Sequence, residues 1–217
     1  MNITSKLTAF VSLFSFVAFV LAADHPAASV SADAALAKLK EGNARYVNSK
    51  VSTGKPTAAR RAETAQGQHP FAIILGCADS RTTPEIIFDQ NIGDIFVDRN
   101  AGNLVDDHTL GTIEYGVEHL GVRLIVVMGH ERCGAVQAAV AGGEAPGHIT
   151  SIVRDIQPAV QAVKGKPGDQ VHLAVAENAR LMAEEIRTKA NVGEIKDVKV
   201  LPAIYDLDTG KVEFGKE

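Results

Sequence analysis

Unbroken apolar runs of strand length recur along this chain, separated by stretches in which apolar residues return every three or four positions. Phe71–Leu75, Ile95–Val97 and Leu124–Met128 carry no polar alternation, and Val198–Ile204 is a weaker fourth run. Such runs suit strands covered on both faces. Between them, helical spacing predicts Pro84–Phe88, Leu110–His119, Gly134–Ala141, Ile149–Val163 and Val171–Thr188. Strands alternating with helices predict an α/β fold, with a mostly parallel central β-sheet flanked by helices. Near the end, Leu207-Asp208-Thr209-Gly210 separates two short apolar runs and reads as a hairpin, which adds an antiparallel C-terminal edge strand. At the other end Leu36, Leu39, Tyr46 and Val47 recur at near-helical spacing behind Ser31, a capping residue type. This predicts an amphipathic N-terminal helical arm. A polar stretch over 51–68 follows, with a short helix around Ala58–Ala65, and Gly142–Gly147 is a surface loop.

The first 22 residues carry one charged side chain, Lys6, and Leu7–Leu21 is apolar apart from Thr8, Ser12 and Ser15. Small residues then precede Asp24-His25-Pro26. The pattern is that of an export signal cut near Ala22 or Ala23; a lasting anchor needs about 20 apolar residues, more than this run offers. The expectation is a signal peptide over 1–22 and a single domain over 23–217 that is exported, periplasmic or secreted, with no membrane partner after cleavage. Loss of Lys6 leaves 21 basic residues against 26 acidic, a formal charge of −5. The longest basic cluster is Arg60-Arg61, so the electrostatic footprint of a nucleic-acid binder is missing.

The chain has two cysteines, each inside a motif: Cys77-Ala78-Asp79-Ser80-Arg81 and Gly129-His130-Glu131-Arg132-Cys133-Gly134. In an oxidising compartment two cysteines are ordinarily a disulfide. A disulfide needs no histidine, however, and His130 stands three residues before Cys133, where one short loop offers two metal ligands. Cys77, His130 and Cys133 would make three ligands of a tetrahedral zinc and leave the fourth position open for chemistry. Cys77 follows one predicted strand and His130 another, so both fall at the carboxyl ends of parallel strands, where ligand sites of open α/β sheets gather. Cys133 opens a helix whose dipole favours a thiolate. Asp79 and Arg81 add a carboxylate and a guanidinium. Asp79 either completes the zinc tetrahedron as a fourth ligand in a closed state, or is held off it by Arg81 in a bidentate pair and accepts a hydrogen bond from water; a plain loop-stabilising ion pair or Asx turn is the alternative. The other histidines, including His119 and His172, lack ligand spacing.

Cys-x-Asp-x-Arg followed by His-x-x-Cys, with the intervening Gly93–Asn103 segment, Thr112-Ile113-Glu114-Tyr115 and the Ile204–Gly210 hairpin, resembles the β-class carbonic anhydrases from about Ala34 onward. The resemblance implies one zinc per subunit on Cys77, His130 and Cys133, with Asp79 and Arg81 as catalytic gating and orienting dyad, and reversible hydration of carbon dioxide to bicarbonate. It places Gln68 at a substrate-bonding glutamine of plant-like members. Phe96, Ala101 and Tyr115 match positions of the apolar substrate pocket, and Gly134 a glycine whose amide faces the bound oxyanion. It also implies a homodimer or homotetramer in which the amphipathic arm packs on a neighbour and Gln68 and Tyr115 reach the partner's zinc. A bacterial subgroup with a non-catalytic bicarbonate site carries tryptophan three residues before the first cysteine; here that position is Ile74, and the chain has no tryptophan. The same scaffold would also serve carbonyl sulfide or carbon disulfide hydrolysis. A non-catalytic zinc or bicarbonate-binding module is disfavoured by the intact Asp79 and Arg81, and a dithiol redox protein by the lack of Cys-x-x-Cys.

Overall fold

The computed structural model describes residues 30–52, 57–192 and 195–216. The expected signal peptide lies outside the described residues. Among them no helix is long and apolar enough to cross a membrane.

Five strands form one sheet in the order β2-β1-β3-β4-β5. They are β1 (Ala72–Cys77), β2 (Ile95–Asn100), β3 (Leu124–His130), β4 (Lys199–Tyr205) and β5 (Val212–Phe214). The first four are parallel, and β5 pairs antiparallel with β4 across the expected hairpin. Every residue of β1 and β3 is buried, which is why their sequences read as unbroken apolar runs. Successive side chains point to opposite faces. Ala72, Ile74, Leu124 and Val126 face a layer made by α1 (Ala32–Val47) and α3 (Pro84–Ile87), whereas Ile73, Leu75, Ile125 and Val127 face α4 (Asp107–Glu118) and α7 (Gln170–Lys189). The short α2 (Ala58–Thr64), with no buried residue, precedes β1. On α7 are stacked α5 (Gly134–Ala141) and α6 (Ile149–Val163), which close a third cluster containing both cysteines.

Ser31 caps α1, its hydroxyl accepting from the Ala34 N–H, as the sequence suggested. The apolar face of this helix is spent within its own chain. Ala35 and Leu39 are fully buried against the sheet with Ile74, Phe88 and Val126. Contact is close enough that Gly42 admits no larger residue; a Cβ there would lie 1.8 Å from the Phe88 carbonyl oxygen. Asn43 then ties α1 to the hairpin, donating to Gly210 O at 2.8 Å and accepting from Val212 N at 2.9 Å.

The chain leaves β1 toward the α3 layer and leaves β3 toward the opposite, α5–α7 layer. These two strands are neighbours, so their carboxyl ends open a crevice at the point where the winding reverses.

Candidate metal centre

Cys77 and His130 end β1 and β3, and the pairing of Gly76 with Met128 sets these strand ends side by side. A tight turn then brings Cys133 back as the residue capping α5, with Arg132 in the left-handed region at φ 52°. The sulfurs of Cys77 and Cys133 are 4.0 Å apart, both as free thiols. A disulfide would need about 2.05 Å. Tetrahedral zinc with Zn–S bonds of about 2.3 Å separates two thiolates by about 3.8 Å, close to what is seen. The donor atoms of Cys77, His130 and Cys133 lie within 4.8 Å of one another, and all three residues are buried. His130 Nδ1 lies 2.9 Å from the Glu131 carbonyl oxygen, which can only accept, so Nδ1 carries the proton. That leaves the lone pair on Nε2, a buried atom with no hydrogen-bond partner. Two converging thiols and an orphaned imidazole nitrogen are the donor set zinc takes, so these residues fit the metal.

The two thiols do not ionise alike. A hydrogen bond from Cys133 holds the Cys77 thiol well below its usual range against the cost of burial, helped by His130 and by the Gly102 and Asp79 amides. Cys133 is pushed up, first by its hydrogen bond to Cys77 and then by burial. Burial alone would lower the His130 pKa, but the close approach and charge of the Cys77 sulfur outweigh it and the net direction is up.

Asp79 stands beside the cluster. Arg81 donates from Nε to its Oδ1 at 2.8 Å and from Nη2 to its Oδ2 at 2.7 Å, and the Arg81 main-chain N–H donates to Oδ1 at 3.0 Å. These bonds hold the Asp79 carboxyl far below the usual carboxylate range, so it stays an anion at any working pH. Its Oδ2 is 3.9 Å from His130 Nε2. Of the two arrangements open to the sequence, the carboxylate is thus the one paired with Arg81 and turned beside the ligands.

Arg99 fixes this loop from β2, donating to Cys77 O at 2.8 Å and to Asp79 O at 2.6 Å, while the Thr82 hydroxyl donates to Asp79 O at 3.0 Å. Ile74 is buried in the α1-side core. From the opposite side Gly102 points its N–H at Cys77 Sγ, 3.5 Å away, and Asn178 of α7 holds the Gly102 carbonyl. Arg132, between two of the ligands, is clamped to Asp208 of the hairpin by bonds of 2.7 and 2.9 Å. Gly102 and Asp208 lie inside segments that carry the resemblance but are given no role by it, and Asn178 lies in no motif. The one signal available was a polar Asn178 on an otherwise apolar helix stripe.

The expected substrate-binding residues divide into two groups. Ala101 directly follows β2 at the site end of the sheet, and Gly134 begins α5 next to Cys133. Gln68, Phe96 and Tyr115 do not reach the metal cluster of their own chain. Gln68 is exposed and precedes β1, so the length of that strand, about 20 Å at the usual rise, separates it from Cys77. Phe96 pairs with Ile73 at the amino end of the sheet, where its ring lies 6.2 Å from that of Tyr115. Tyr115 is 48% exposed, and its ring also lies 5.1 Å from that of His119 in a tilted contact. His172, as its lack of ligand spacing implied, makes a surface contact, 2.6 Å from Glu131 Oε1.

Comparison with known proteins converges on one family. Residues 72–212 match the family described as carbonic anhydrase. Carbonic anhydrase 2 of Mycobacterium tuberculosis is 49% identical over 131 residues, 58% of this chain and 63% of that protein, so the match spans less than two thirds of the relative's length. Among solved structures, a Coccomyxa β-carbonic anhydrase in complex with acetazolamide is 25% identical, with TM-score 0.65 over 82% of this chain and 85% of that one. A tetrameric β-carbonic anhydrase from Sordaria macrospora has the same fold, at 24% identity and TM-score 0.64 over 80% of this chain and 93% of its own. Its sheet, its paired motifs and its match over residues 72–212 make this chain a member of the carbonic anhydrase family, in the β class.

Proposed function

We propose that this protein catalyses the reversible hydration of carbon dioxide to bicarbonate and a proton, using one zinc per subunit held by Cys77, His130 and Cys133. The observation that carries this reading is the convergence of three buried donor atoms within 4.8 Å beside a carboxylate that Arg81 keeps off them. When bound, zinc supplies a Lewis-acidic position at which water becomes nucleophilic near neutral pH.

The chain's own groups orient and stabilise. Asp79, anionic and fixed, accepts a hydrogen bond from the attacking water and so aims its remaining lone pair at carbon dioxide. Arg81 keeps that carboxylate from turning inward as a ligand. The Gly134 main-chain N–H, at the start of α5, donates to the oxygen that gains charge as bicarbonate forms. Ala101 contributes to the apolar wall beside the reacting carbon.

Gln68, Phe96 and Tyr115 suit a role at a second subunit's centre, since each lies remote from its own and Gln68 and Tyr115 are exposed. That reading requires a homodimer or homotetramer, and the Sordaria relative is described as tetrameric. Export follows as part of the proposal, with cleavage after the apolar segment and function in a periplasmic or secreted setting. Stopped-flow hydration by the zinc-loaded protein, with carbonyl sulfide as competing substrate, tests the activity. Fast hydration that carbonyl sulfide leaves untouched is expected. Turnover of carbonyl sulfide without hydration of carbon dioxide would replace the reading.

A further inference from the structure

Among the described residues, three buried side-chain polar atoms lack a hydrogen-bond partner: His130 Nε2, Asn103 Nδ2 and Asn178 Oδ1. The first belongs to the ligand cluster. The other two belong to asparagines that bracket one peptide, that of Gly102. Asn178 is 1% exposed and sits on the inner stripe of α7 among Ala174, Val175, Ala179 and Met182. An apolar residue of that size would carry no unsatisfied side-chain oxygen, so the amide costs the core something. What it gains is a single long-range bond, from Asn178 Nδ2 to Gly102 O at 2.9 Å.

Gly102 and Asn103 are consecutive residues in the left-handed region, at φ 84° and 46°. Such a turn holds only where its surroundings fix it. A Cβ on Gly102 would lie 3.0 Å from Ile156 Cδ1, so the backbone is pressed toward α6 on one side. Asn178 holds it from α7, and the outcome is the Gly102 N–H aimed at Cys77 Sγ at 3.5 Å.

We propose that Asn178 is a positioning residue for the metal centre: by holding the Gly102 carbonyl it keeps the Gly102 N–H on the Cys77 sulfur, and so tunes that thiolate as a ligand. The proposal rests on Cys77 being a metal ligand. An N–H bond to a thiolate withdraws electron density and fixes its direction, and partners of this outer kind alter metal affinity by ten- to a hundredfold when lost. No other side chain on α7 forms a hydrogen bond to this loop among the described residues.

The test uses cobalt(II) in place of zinc, in the wild type, Asn178→Ala and Asn178→Leu, the second keeping much of the volume while removing the donor. The position of the thiolate-to-cobalt charge-transfer band, the cobalt and zinc affinities by chelator competition, and the melting temperature of the metal-free protein are read together. Both variants should shift the band and bind either metal ten- to a hundredfold more weakly. Met182→Ala, four residues along α7, should lower the melting temperature and leave the band where it is. An unmoved band and unchanged affinities in the Asn178 variants, with only a lowered melting temperature, would make Asn178 a plain core residue and overturn the proposal. Should neither variant fold, spin-active cadmium in the wild type decides. The Gly102 amide proton should show scalar coupling to the metal through the sulfur, and no coupling would overturn the proposal. A wild type that takes up neither cobalt nor cadmium would instead remove the metal reading beneath it.

Discussion

Loading the metal-free protein with zinc at different pH values probes the two thiols directly. Cys77 and Cys133 are 5% and 2% exposed with sulfurs 4.0 Å apart, so a second negative charge there meets the first at close range. At an effective dielectric near 20 that repulsion is about 4 kcal/mol, which separates the two ionisations by about three pH units. The metal-free site therefore holds one proton on the sulfur pair across that window, with Cys77 the anion and Cys133 the thiol. Zinc cancels both charges and must displace the proton. On the alkaline side, where His130 is neutral, the affinity should rise tenfold per pH unit, equivalent to about 1.4 kcal/mol per unit. On the acid side, where His130 is also protonated because its pKa is raised, the slope should approach two. Competition with a chelator, corrected for the chelator's own protonation, gives the slope. Calorimetry in two buffers of different ionisation enthalpy gives the protons released. Near-zero release at alkaline pH would mean both thiols are already ionised, and release of two there would mean neither is; either refutes the asymmetry.

Three further outcomes are expected. Arg81→Ala should cut hydration at least about tenfold while zinc content stays near one, since Asp79, freed from its 2.8 and 2.7 Å bonds, can turn onto the metal; Asp79→Asn should also slow turnover, and wild-type rates in both zinc-loaded variants would make the pair merely structural. Across the pH range, Asp79 should stabilise the fold above the ordinary carboxylate pKa and lose that contribution only as pH falls through its depressed native value; NMR titration of the carboxyl carbon showing an ordinary pKa would contradict this. Gly42→Ala, which sets a Cβ 1.8 Å from the Phe88 carbonyl, should cost about 3 kcal/mol and lower the melting temperature by about 6 to 12 °C, whereas an unchanged melting curve would show that α1 does not sit on its own sheet as described.

Much of this was legible beforehand, for physical reasons. Strands buried on both faces write themselves as unbroken apolar runs, so β1 and β3 stood out, while β4, with Lys199 and Pro202 in it, read more weakly. β2 was cut short at Val97 because Asp98, Arg99 and Asn100 are polar. It is an edge strand, and Arg99 there bonds the Cys77 and Asp79 carbonyls instead of packing in the core. The start of α4 was missed for a similar reason, its first turn being polar and its cap, Asp106, accepting from Thr109 N. Periodicity showed that α1 has one apolar face but could not say whose surface covers it. The metal ligands were readable because the chain has no other cysteines and one histidine at the right spacing. Gly102 and Asn178 were not, since their roles depend on a main-chain N–H and on a contact between residues far apart in sequence.

Zinc stoichiometry and stopped-flow carbon dioxide hydration, measured together on the wild type and on Cys133→Ser, test the central claim most directly. The wild type should carry about one zinc per chain and hydrate carbon dioxide at a rate that follows its zinc content, and Cys133→Ser should lose both. A metal-free protein with Cys77 and Cys133 joined as a disulfide that still hydrated carbon dioxide would contradict the account.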